Sequence, residues 1–386
     1  MNELEQYLNS KIGLTKNKNL EVLHKFFTKT QLNNLMNKTI SIVGTNGKTS
    51  TANFVYQLLS NKMIEVLMFT SPHLVNFSER IQSNSEINLD YLTRIVQEFE
   101  GENNITLGYF ETLFLISCKA FLDNEMDYFI CEAGIGGILD TTSVIQSKNV
   151  VLTNIGRDHQ DLLGYTALEI LDQKIFVSKN IDNLYVGDLS DELVKVIENN
   201  YKHCKSKFFL KDFVDSKSKK INNLTANQIN YLLASFTVNS ILSSNNIKVP
   251  LDFNHNLVEG RFEIINRNPL KILDGAHNID GFIKTLEDYE KEHSSEDTYL
   301  YLGFKKGKNI ESIISYINSK KRYKLNFIEE NTFFDQQSPN KFIDFLEGEN
   351  IDYNIANLEA FSLNKNPSIL LGSLYLIGEY KKRITT

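Results

Sequence analysis

The sequence predicts an α/β fold in two parts, each a parallel sheet covered by helices. Short apolar runs alternate with helical patterns along most of the chain, the order typical of βαβ units. The alternation is interrupted at Glu259–Glu263 (EGRFE) and then restarts, which predicts a hinge there and domains at residues 1–262 and 263–386. A chain of 386 residues is long enough to give each domain its own core.

The first strand, loop and helix carry the strongest functional signal. Thr39–Val43 is apolar with β-branched residues, which predicts a buried strand, and a helical pattern follows Gly44–Ser50 (GTNGKTS). Glycine lets backbone N–H groups face an anion, the helix N-terminus adds positive potential, and Lys48 adds a full charge. Thr49 and Ser50 offer hydroxyls to a phosphate or to Mg²⁺. The loop is two residues shorter than the usual P-loop, so a strand-to-helix turn without a ligand is the alternative.

Three further strands are predicted in the first part, and polar residues follow them. Glu65–Thr70 is the first, Tyr128–Cys131 ends at Glu132, and Val150–Ile155 precedes a short loop with His159. Ligands of parallel sheets bind beyond the carboxyl ends of the strands, so these residues should lie near the first loop. A carboxylate there suits Mg²⁺, and the same position favours a functional role for His159 over a purely structural one.

Four further helices are predicted at defined positions of the first part: Leu89–Glu100, Tyr109–Leu122, Thr166–Val177 and Asn227–Ser243. Glu111 lies near the start of the second helix, where helix capping and a substrate role are both open. Lys174 lies on the third, where a solvated position is the alternative, and Asn230 lies on the fourth. The lysine-rich residues 181–225 are predicted to form two strands and a helix.

The second part repeats the pattern on a smaller scale. Its predicted strands are Leu270–Leu273, Thr298–Phe304 and Leu325–Ile328, and its predicted helices are Ile279–Glu292, Ile310–Ile317, Phe342–Phe345 and Ile369–Tyr380. The first of these strands ends in Asp274–Asn278 (DGAHN), again a polar loop after a strand. A second α/β domain of ordinary size is therefore expected.

Composition excludes several classes of protein. The net charge of −7 argues against nucleic acid as the main partner. No apolar stretch is long enough to span a membrane, and the acidic N-terminus does not resemble a signal peptide. The three cysteines are widely spaced, which predicts buried, reduced thiols in a cytoplasmic protein.

Together these motifs resemble the folylpolyglutamate synthase/dihydrofolate synthase family of the Mur ligase superfamily. The matching segments are GTNGKTS (44–50), TSPHL with ERI (70–74, 79–81), YFE (109–111), EAGIGG with LDTT (132–137, 139–142), TNIGRDH (153–159), LLG (162–164) with Lys174, GRFE (260–263), DGAHN (274–278) and GSLYLIGE (372–379). The resemblance implies a Rossmann-like P-loop ATPase domain of the Mur ligase central type, followed by a smaller α/β Mur ligase C-terminal domain that binds glutamate.

The resemblance also implies a reaction and a set of site residues. The reaction is the ATP-dependent addition of L-glutamate to dihydropteroate or to reduced folates through an acyl phosphate, by a monomer that needs Mg²⁺ and has K⁺ as a second candidate ion. Lys48, His159 and Lys174 match catalytic positions, and Lys174 matches a lysine that is carbamylated in the family. The positions that match ATP contacts are Gly44, Thr45, Asn46, Gly47, Lys48, Thr49, Ser50, Asn230, Arg261 and Asp274. Those that match metal ligands are Ser71, Glu132 and His159. Those that match substrate contacts are Phe110, Glu111, Leu139, Asp140 and Thr141 on the pterin side and His277 and Ser373 on the glutamate side.

The chain departs from the family pattern at a few positions. Ile138 stands where the family usually has arginine, and Arg157 where it usually has an apolar residue. Gln173, Ile175 and Phe176 replace the usual Glu, Ala and Gly around Lys174, and residues 304–308 (FKKGK) lack the usual Asp-Lys-Asp run. Two alternatives to the folate ligase are a ligase that joins an amino acid to another carboxylate and a nucleotide-dependent switch that has lost ligation.

Overall fold

A computed structural model describes residues 3–14, 20–215, 223–242, 256–293, 297–329, 333 and 335–385. The chain divides into two compact units, one formed by Met1–Ser71 with Phe77–Asn254 and the other by Pro72–Asn76 with His255–Thr386. The functional assignment of the two parts stays a prediction. In the described residues no helix has the length and apolar character needed to cross a membrane.

The first unit alternates helices and strands. Its helices are α1 (Glu3–Ser10), α2 (Leu20–His24), α3 (Lys29–Lys38), α4 (Lys48–Ser60), α5 (Leu89–Asn103), α6 (Tyr109–Asp123), α7 (Gln160–Leu163), α8 (Ala167–Ile175), α9 (Asp191–Asn200), α10 (Leu210–Asp215) and α11 (Ala226–Ile241). Its strands are β1 (Thr39–Val43), β2 (Val66–Phe69), β3 (Ile81–Ser83), β4 (Tyr128–Glu132), β5 (Asn149–Leu152), β6 (Asn183–Val186) and β7 (Ser206–Phe209).

The strands of the first unit form a seven-stranded sheet in the order β3-β2-β4-β1-β5-β6-β7. All neighbours are parallel except β2 and β3. The entirely buried β1 lies between β4 and β5, so the chain order of the strands reverses on either side of it. The carboxyl ends of these three strands therefore border the crevice in which open α/β sheets bind ligands.

The predicted strands and helices of the first unit are confirmed, with small differences at their ends. The described part of residues 181–225 contains the two predicted strands and two helices rather than one. Residues 216–222 and Ser243, the predicted end of the fourth helix, lie outside the described residues. The three cysteines are buried free thiols, as predicted.

The second unit is built in the same way. Its helices are α12 (Ile279–Glu292), α13 (Ile310–Ser319), α14 (Ile343–Gly348), α15 (Leu358–Leu363) and α16 (Leu374–Thr385). Its strands are β8 (Glu263–Arg267), β9 (Leu270–Asp274), β10 (Thr298–Leu302), β11 (Tyr323–Ile328), β12 (Tyr353–Ala356) and β13 (Ser368–Leu371). They form a six-stranded sheet in the order β12-β11-β10-β13-β9-β8, parallel except for the edge strand β8.

The prediction of one helix over residues 369–380 is wrong. Ser368–Leu371 is the buried strand β13, which pairs with β9 and β10 in the middle of the sheet. Gly372 ends the strand with φ +112°, and a Cβ on it would come within 2.6 Å of the Gly303 carbonyl oxygen. The helix begins only at Leu374. A four-residue apolar run is too short to show a period of its own, so the sequence pattern did not separate this strand from the helix that follows it.

Aromatic packing in the first unit brings α11 against α4. The rings of Phe54 on α4 and Tyr231 on α11 meet edge to face with their centroids 5.6 Å apart. Such pairs prefer this geometry and add to the energy of apolar burial. The contact places Asn230, the residue before Tyr231, next to the start of α4.

Candidate active site

The loop between β1 and α4 depends on two glycines. Gly44 and Gly47 have φ values of +147° and +80°, which side chains strongly disfavour. A Cβ on Gly44 would overlap the Thr153 hydroxyl, and one on Gly47 would lie 2.5 Å from Asn230 Oδ1. Asn230 therefore lies beside this loop, while its contact with ATP stays a prediction.

The loop is tied to the segment that follows β5. The Thr45 N–H donates to the Asn154 carbonyl oxygen at 3.0 Å, and the Asn46 N–H donates to Asn154 Oδ1 at 2.8 Å. The Thr153 hydroxyl donates to the Asn46 carbonyl oxygen at 2.7 Å. The N–H groups of Thr45 and Asn46 therefore attach the loop to the segment after β5. An anion bound at this loop would thus meet the N-terminal turn of α4, whose first N–H groups have no acceptor within the helix.

Thr153 and Asn154 have positioning roles that sequence reasoning missed. They belong to the matched TNIGRDH segment, but no role was predicted for them. The available signal was their position, because two polar residues directly follow the apolar run of β5, where the strands on either side of β1 end.

Two lysine amines meet at the same carbonyl group. Lys48 Nζ donates to the carbonyl oxygens of Gly44 and Thr45, both at 3.2 Å, and Lys174 Nζ donates to that of Gly44 at 2.7 Å. Lys174 is 5% exposed, so the alternative of a solvated lysine is wrong. Burial and the charge of Lys48 lower the pKa of Lys174 to about 7, against the opposing effect of the Asp158 and Asp140 carboxylates. A large fraction of this amine is therefore neutral at neutral pH.

Glu132 lies at the end of β4, 2% exposed, and joins two other predicted site residues. Its Oε1 accepts from the Thr49 hydroxyl at 3.0 Å, and its Oε2 accepts from the Ser71 N–H at 3.1 Å. A carboxylate beside a hydroxyl is a set of hard oxygen donors, which fits Mg²⁺.

His159 has a constrained backbone and an acidic neighbour. Its φ is +50°, unusual for histidine, its N–H donates to Asp158 Oδ1 at 3.0 Å, and its Nε2 lies 3.9 Å from Asp158 Oδ2. The described part of the chain contains no group of three or more His, Cys, Asp or Glu side chains arranged to hold a metal. A metal at Glu132 would therefore need hydroxyl, phosphate or water oxygens as well. The set of Ser71, Glu132 and His159 stays a prediction.

Asp140 shapes the loop that follows β4. Its fully buried carboxylate accepts from the N–H groups of Ile135 and Thr142, both at 3.0 Å, and from the Thr142 hydroxyl at 2.7 Å. A Cβ on Gly134 would lie 3.1 Å from Asp140 Oδ2 and 3.2 Å from Phe110 Cζ. The structure thus brings Phe110 and Asp140 together, with the backbone of Gly134 between them.

The other predicted pterin-side residues differ in exposure. Leu139 is 70% exposed, whereas Thr141 and Glu111 are buried. Within the described residues the Thr141 hydroxyl has no hydrogen-bond partner, which is costly for a buried polar atom. The choice between capping and substrate binding for Glu111 stays open.

The loop that follows β4 packs on α8 through the backbone atoms of both segments. The Ile138 N–H donates to the Gln173 carbonyl oxygen at 3.0 Å. A Cβ on Gly137 would overlap that oxygen and would lie 2.6 Å from the carbonyl oxygen of Lys174. Gly137 is therefore the residue that lets this loop reach the helix that carries Lys174.

In the second unit, Asp274 organises the loop that follows β9. Its carboxylate accepts from the N–H groups of Phe262 at 2.7 Å and Ala276 at 2.8 Å and from the Thr285 hydroxyl at 3.1 Å. Burial raises the pKa of Asp274, while these hydrogen bonds and the nearby Arg261 oppose the rise.

The predicted glutamate-side residues lie on adjacent loops of that unit. The Gly372 N–H donates to the Ala276 carbonyl oxygen at 3.0 Å, which joins the loop of His277 to that of Ser373. His277 Nδ1 lies 2.9 Å from the Gly275 carbonyl oxygen, and the buried Ser373 hydroxyl accepts from the Tyr375 N–H at 3.2 Å. Both loops follow the carboxyl ends of parallel strands, β9 and β13.

The fold and the loop of the first unit define an α/β protein of the P-loop type, with a lysine at the start of the helix after β1. The chain belongs to the Mur ligase family, because residues 42–266 match the Mur ligase middle domain. The resemblance noted in the sequence is thereby confirmed.

Individual relatives agree with this assignment. The chain is 29% identical over 327 residues to the dihydrofolate synthase/folylpolyglutamate synthase of Buchnera aphidicola subsp. Schizaphis graminum, an alignment that covers 79% of this chain and 77% of that protein. Folylpolyglutamate synthase of Mycobacterium tuberculosis complexed with ADP has a TM-score of 0.81 at 18% identity, with 100% of this chain and 98% of that chain covered. The bifunctional folylpolyglutamate synthase/dihydrofolate synthase of Yersinia pestis complexed with AMPPNP and a Mn ion has a TM-score of 0.78 at 19% identity, with coverages of 99% and 97%. At these identities the two structures demonstrate a shared fold.

Proposed function

We propose that this protein is an ATP-dependent ligase that adds L-glutamate to dihydropteroate, to reduced folates, or to both. The observation that carries the proposal is the meeting of Lys48, Lys174, Thr49 and Glu132 around the loop after β1. The Lys48 ammonium, a second amine, a hydroxyl and a carboxylate at the end of parallel strands suit phosphoryl transfer. Membership of the Mur ligase family supports ligation, and the name of the Buchnera relative supports folate substrates.

The chemistry requires this kind of site. A carboxylate becomes a useful acyl donor when its oxygen attacks the γ-phosphorus of ATP and releases ADP. The amine of glutamate then attacks the acyl carbon and phosphate leaves. Two anions must approach each other in the first step, so a positioned cation lowers the barrier. Lys48 and the N-terminal turn of α4 supply positive potential for that step.

A divalent cation fits the same place. Thr49 and Glu132 would hold it through oxygen atoms, with Ser71 and His159 as further proposed ligands. Mg²⁺ there would neutralise part of the charge on the phosphate oxygens. The Mn ion in the Yersinia pestis structure supports a divalent cation. No feature of the described residues distinguishes a K⁺ site, and that ion stays a prediction.

Lys174 is proposed to be carbamylated. Its neutral amine would attack CO₂, form an N–C bond and release one proton, which leaves an anionic carbamate near the Lys48 ammonium. A pKa near 7 supports the reaction because the protonated amine has no lone pair to react. Carbon-13 NMR in ¹³C-bicarbonate should show a carbamate signal that disappears in Lys174→Ala. Formate should restore part of the activity of that variant, and absence of the signal would contradict the modification.

The remaining assignments are proposals of the same kind. Asn230, Arg261 and Asp274 are proposed nucleotide contacts, and Phe110 and Asp140 proposed pterin-side residues. The second unit presents its proposed glutamate residues at the carboxyl ends of parallel strands, where such sheets bind small ligands.

Release of ADP distinguishes the proposal from its alternatives. ADP is measured with ATP alone and then with L-glutamate plus dihydropteroate, tetrahydrofolate or neither. A folate ligase releases ADP in quantity only with glutamate and one or both acceptors, and the acceptor identifies the activity. A ligase for another carboxylate binds ATP but ignores both folates. A nucleotide-dependent switch hydrolyses ATP at a rate that glutamate and acceptor leave unchanged, and that result would overturn the proposal.

A further inference from the structure

The last turn of α8 is held by two side chains from the segment after α9. The Tyr201 hydroxyl donates a short hydrogen bond to Asp172 Oδ1. The His203 ring stacks on Phe176, with ring centroids 4.7 Å apart and an interplanar angle of 17°. Asp172 and Phe176 lie two residues before and two residues after Lys174, so the lysine is bracketed by the two contacts.

The opposite side of this turn faces the candidate active site. Lys174 Nζ reaches the Gly44 carbonyl oxygen, and the Gln173 carbonyl oxygen accepts from the Ile138 N–H. One turn of helix therefore supports two loops of the site, the loop after β1 and the loop after β4. A shift of this turn would move both supports together.

The protonation and burial of the two side chains suit a fixed contact. Tyr201 is buried, and burial together with Asp172 raises the pKa of its phenol, which keeps it a donor at neutral pH. Burial and Lys207 lower the pKa of His203, which favours the neutral ring. Within the described residues the buried His203 Nε2 has no hydrogen-bond partner, and the imidazole contacts Phe176 through the face of its ring.

We propose that Tyr201 and His203 are positioning residues that hold the last turn of α8, and with it the amine of Lys174, against the loop after β1. The inference deepens the proposed function and rests on it for the effect on turnover. Neither residue lies near Lys174 in sequence, and their contacts beside it are with Asp172 and Phe176.

The test uses variants that separate the two contacts. Tyr201→Phe removes the hydroxyl and keeps the ring, His203→Ala removes the stack, and His203→Phe keeps a flat ring. The matched control is Tyr323→Phe in the second unit, where the hydroxyl also donates to a carboxylate, Glu290 Oε1, at 3.0 Å. If Tyr201→Phe fails to fold by circular dichroism, Asp172→Asn weakens the same hydrogen bond and replaces it.

The first measurement does not depend on activity. Trace acetylation followed by mass spectrometry compares Lys174 with Lys271, a buried lysine of the second unit. The ratio of Lys174 to Lys271 labelling should rise about fivefold in Tyr201→Phe and His203→Ala. It should stay at the wild-type value in His203→Phe and Tyr323→Phe. An unchanged ratio in both Tyr201→Phe and His203→Ala would overturn the proposal.

The second measurement is steady-state ligation. We expect kcat to fall about tenfold in Tyr201→Phe and His203→Ala, with the KM for ATP changed less than twofold and with activity retained in His203→Phe. Increased labelling with wild-type kcat would also overturn the proposal, because the position of Lys174 would then not matter. If wild-type protein ligates none of the folate substrates while the labelling pattern holds, the proposed function fails and the positioning of Lys174 stands.

Discussion

Replacing Lys174 with methionine should change how the stability of the protein depends on pH. The pKa of this amine is about 7 in the folded protein, against an ordinary value of 10.5. Between these two values the unfolded chain binds a proton that the folded chain does not, so the wild type gains stability as the pH rises. At about 1.4 kcal/mol per pH unit the full effect approaches about 5 kcal/mol, and about 2 kcal/mol of it falls between pH 7 and pH 9.

The assay is urea unfolding followed by circular dichroism at pH 6 to 9.5, in buffers freed of CO₂ so that no carbamate forms. The quantity of interest is the unfolding free energy of the wild type minus that of Lys174→Met. We expect this difference to rise by about 2 kcal/mol from pH 7 to pH 9. Lys195→Met, at an exposed position of α9, is the matched control.

Two results would refute the reasoning. A difference that is flat across this range means that the amine is not held in a buried place next to Lys48. A difference that falls as the pH rises means that the folded state favours the ammonium form. Either result would also remove the argument for a reactive neutral amine at position 174.

The remaining predictions concern the site and its supports. The variants Lys48→Ala, Glu132→Ala and His159→Ala should remain folded by circular dichroism. Each should lose about a hundredfold to a thousandfold in turnover, which corresponds to about 3–4 kcal/mol of activation free energy. A near-wild-type kcat in any of them would show that its residue does not belong to the site. Gly137→Ala should lower the urea midpoint because its Cβ overlaps a carbonyl oxygen, whereas the control Gly101→Ala, a helical position with nothing within 4 Å, should gain up to about 1 kcal/mol. Glu100→Gln should cost about 3–5 kcal/mol of unfolding free energy, because it removes the carboxylate 2.7 Å from the buried Lys11 amine; a loss below about 1 kcal/mol would contradict that burial.

The central strands could be predicted because each is an apolar run bounded by polar turns. The strands β1, β4 and β5 are buried on both faces, and burial on both faces gives a continuous apolar run. The short edge strands β3, β8 and β12 carry polar residues that are half-buried in β3 and partly exposed in β8 and β12, so the same rule does not detect them. For β13 the apolar signal was present, and the error was to join it to α16.

The site could be predicted as far as it follows strand ends. Glu132 is the last residue of β4, Ser71 lies two residues after β2, and Lys48 begins the helix that follows β1. Topology alone brings the ends of these strands to one edge of the sheet. Contacts that depend on packing could not be predicted. The bond from Thr153 to Asn46 spans 107 residues, and the one from Tyr201 to Asp172 links a helix to a loop beyond the next strand and helix. No periodicity in the sequence encodes such pairs.

The departures from the family pattern have a physical reading in this structure. Ile138 is linked to α8 through its N–H rather than its side chain, so the side chain can change without loss of that link. Phe176, which stands where glycine is usual, has acquired a partner in the stacked ring of His203. Lys174 is thus supported from two sides of α8. Backbone groups hold the side that faces the candidate active site, and the stacked side chains of Phe176 and His203 hold the opposite side. Substitutions around this lysine should therefore be tolerated when they leave Gly137 and the stacked pair in place, and a change at either of those should alter the lysine itself.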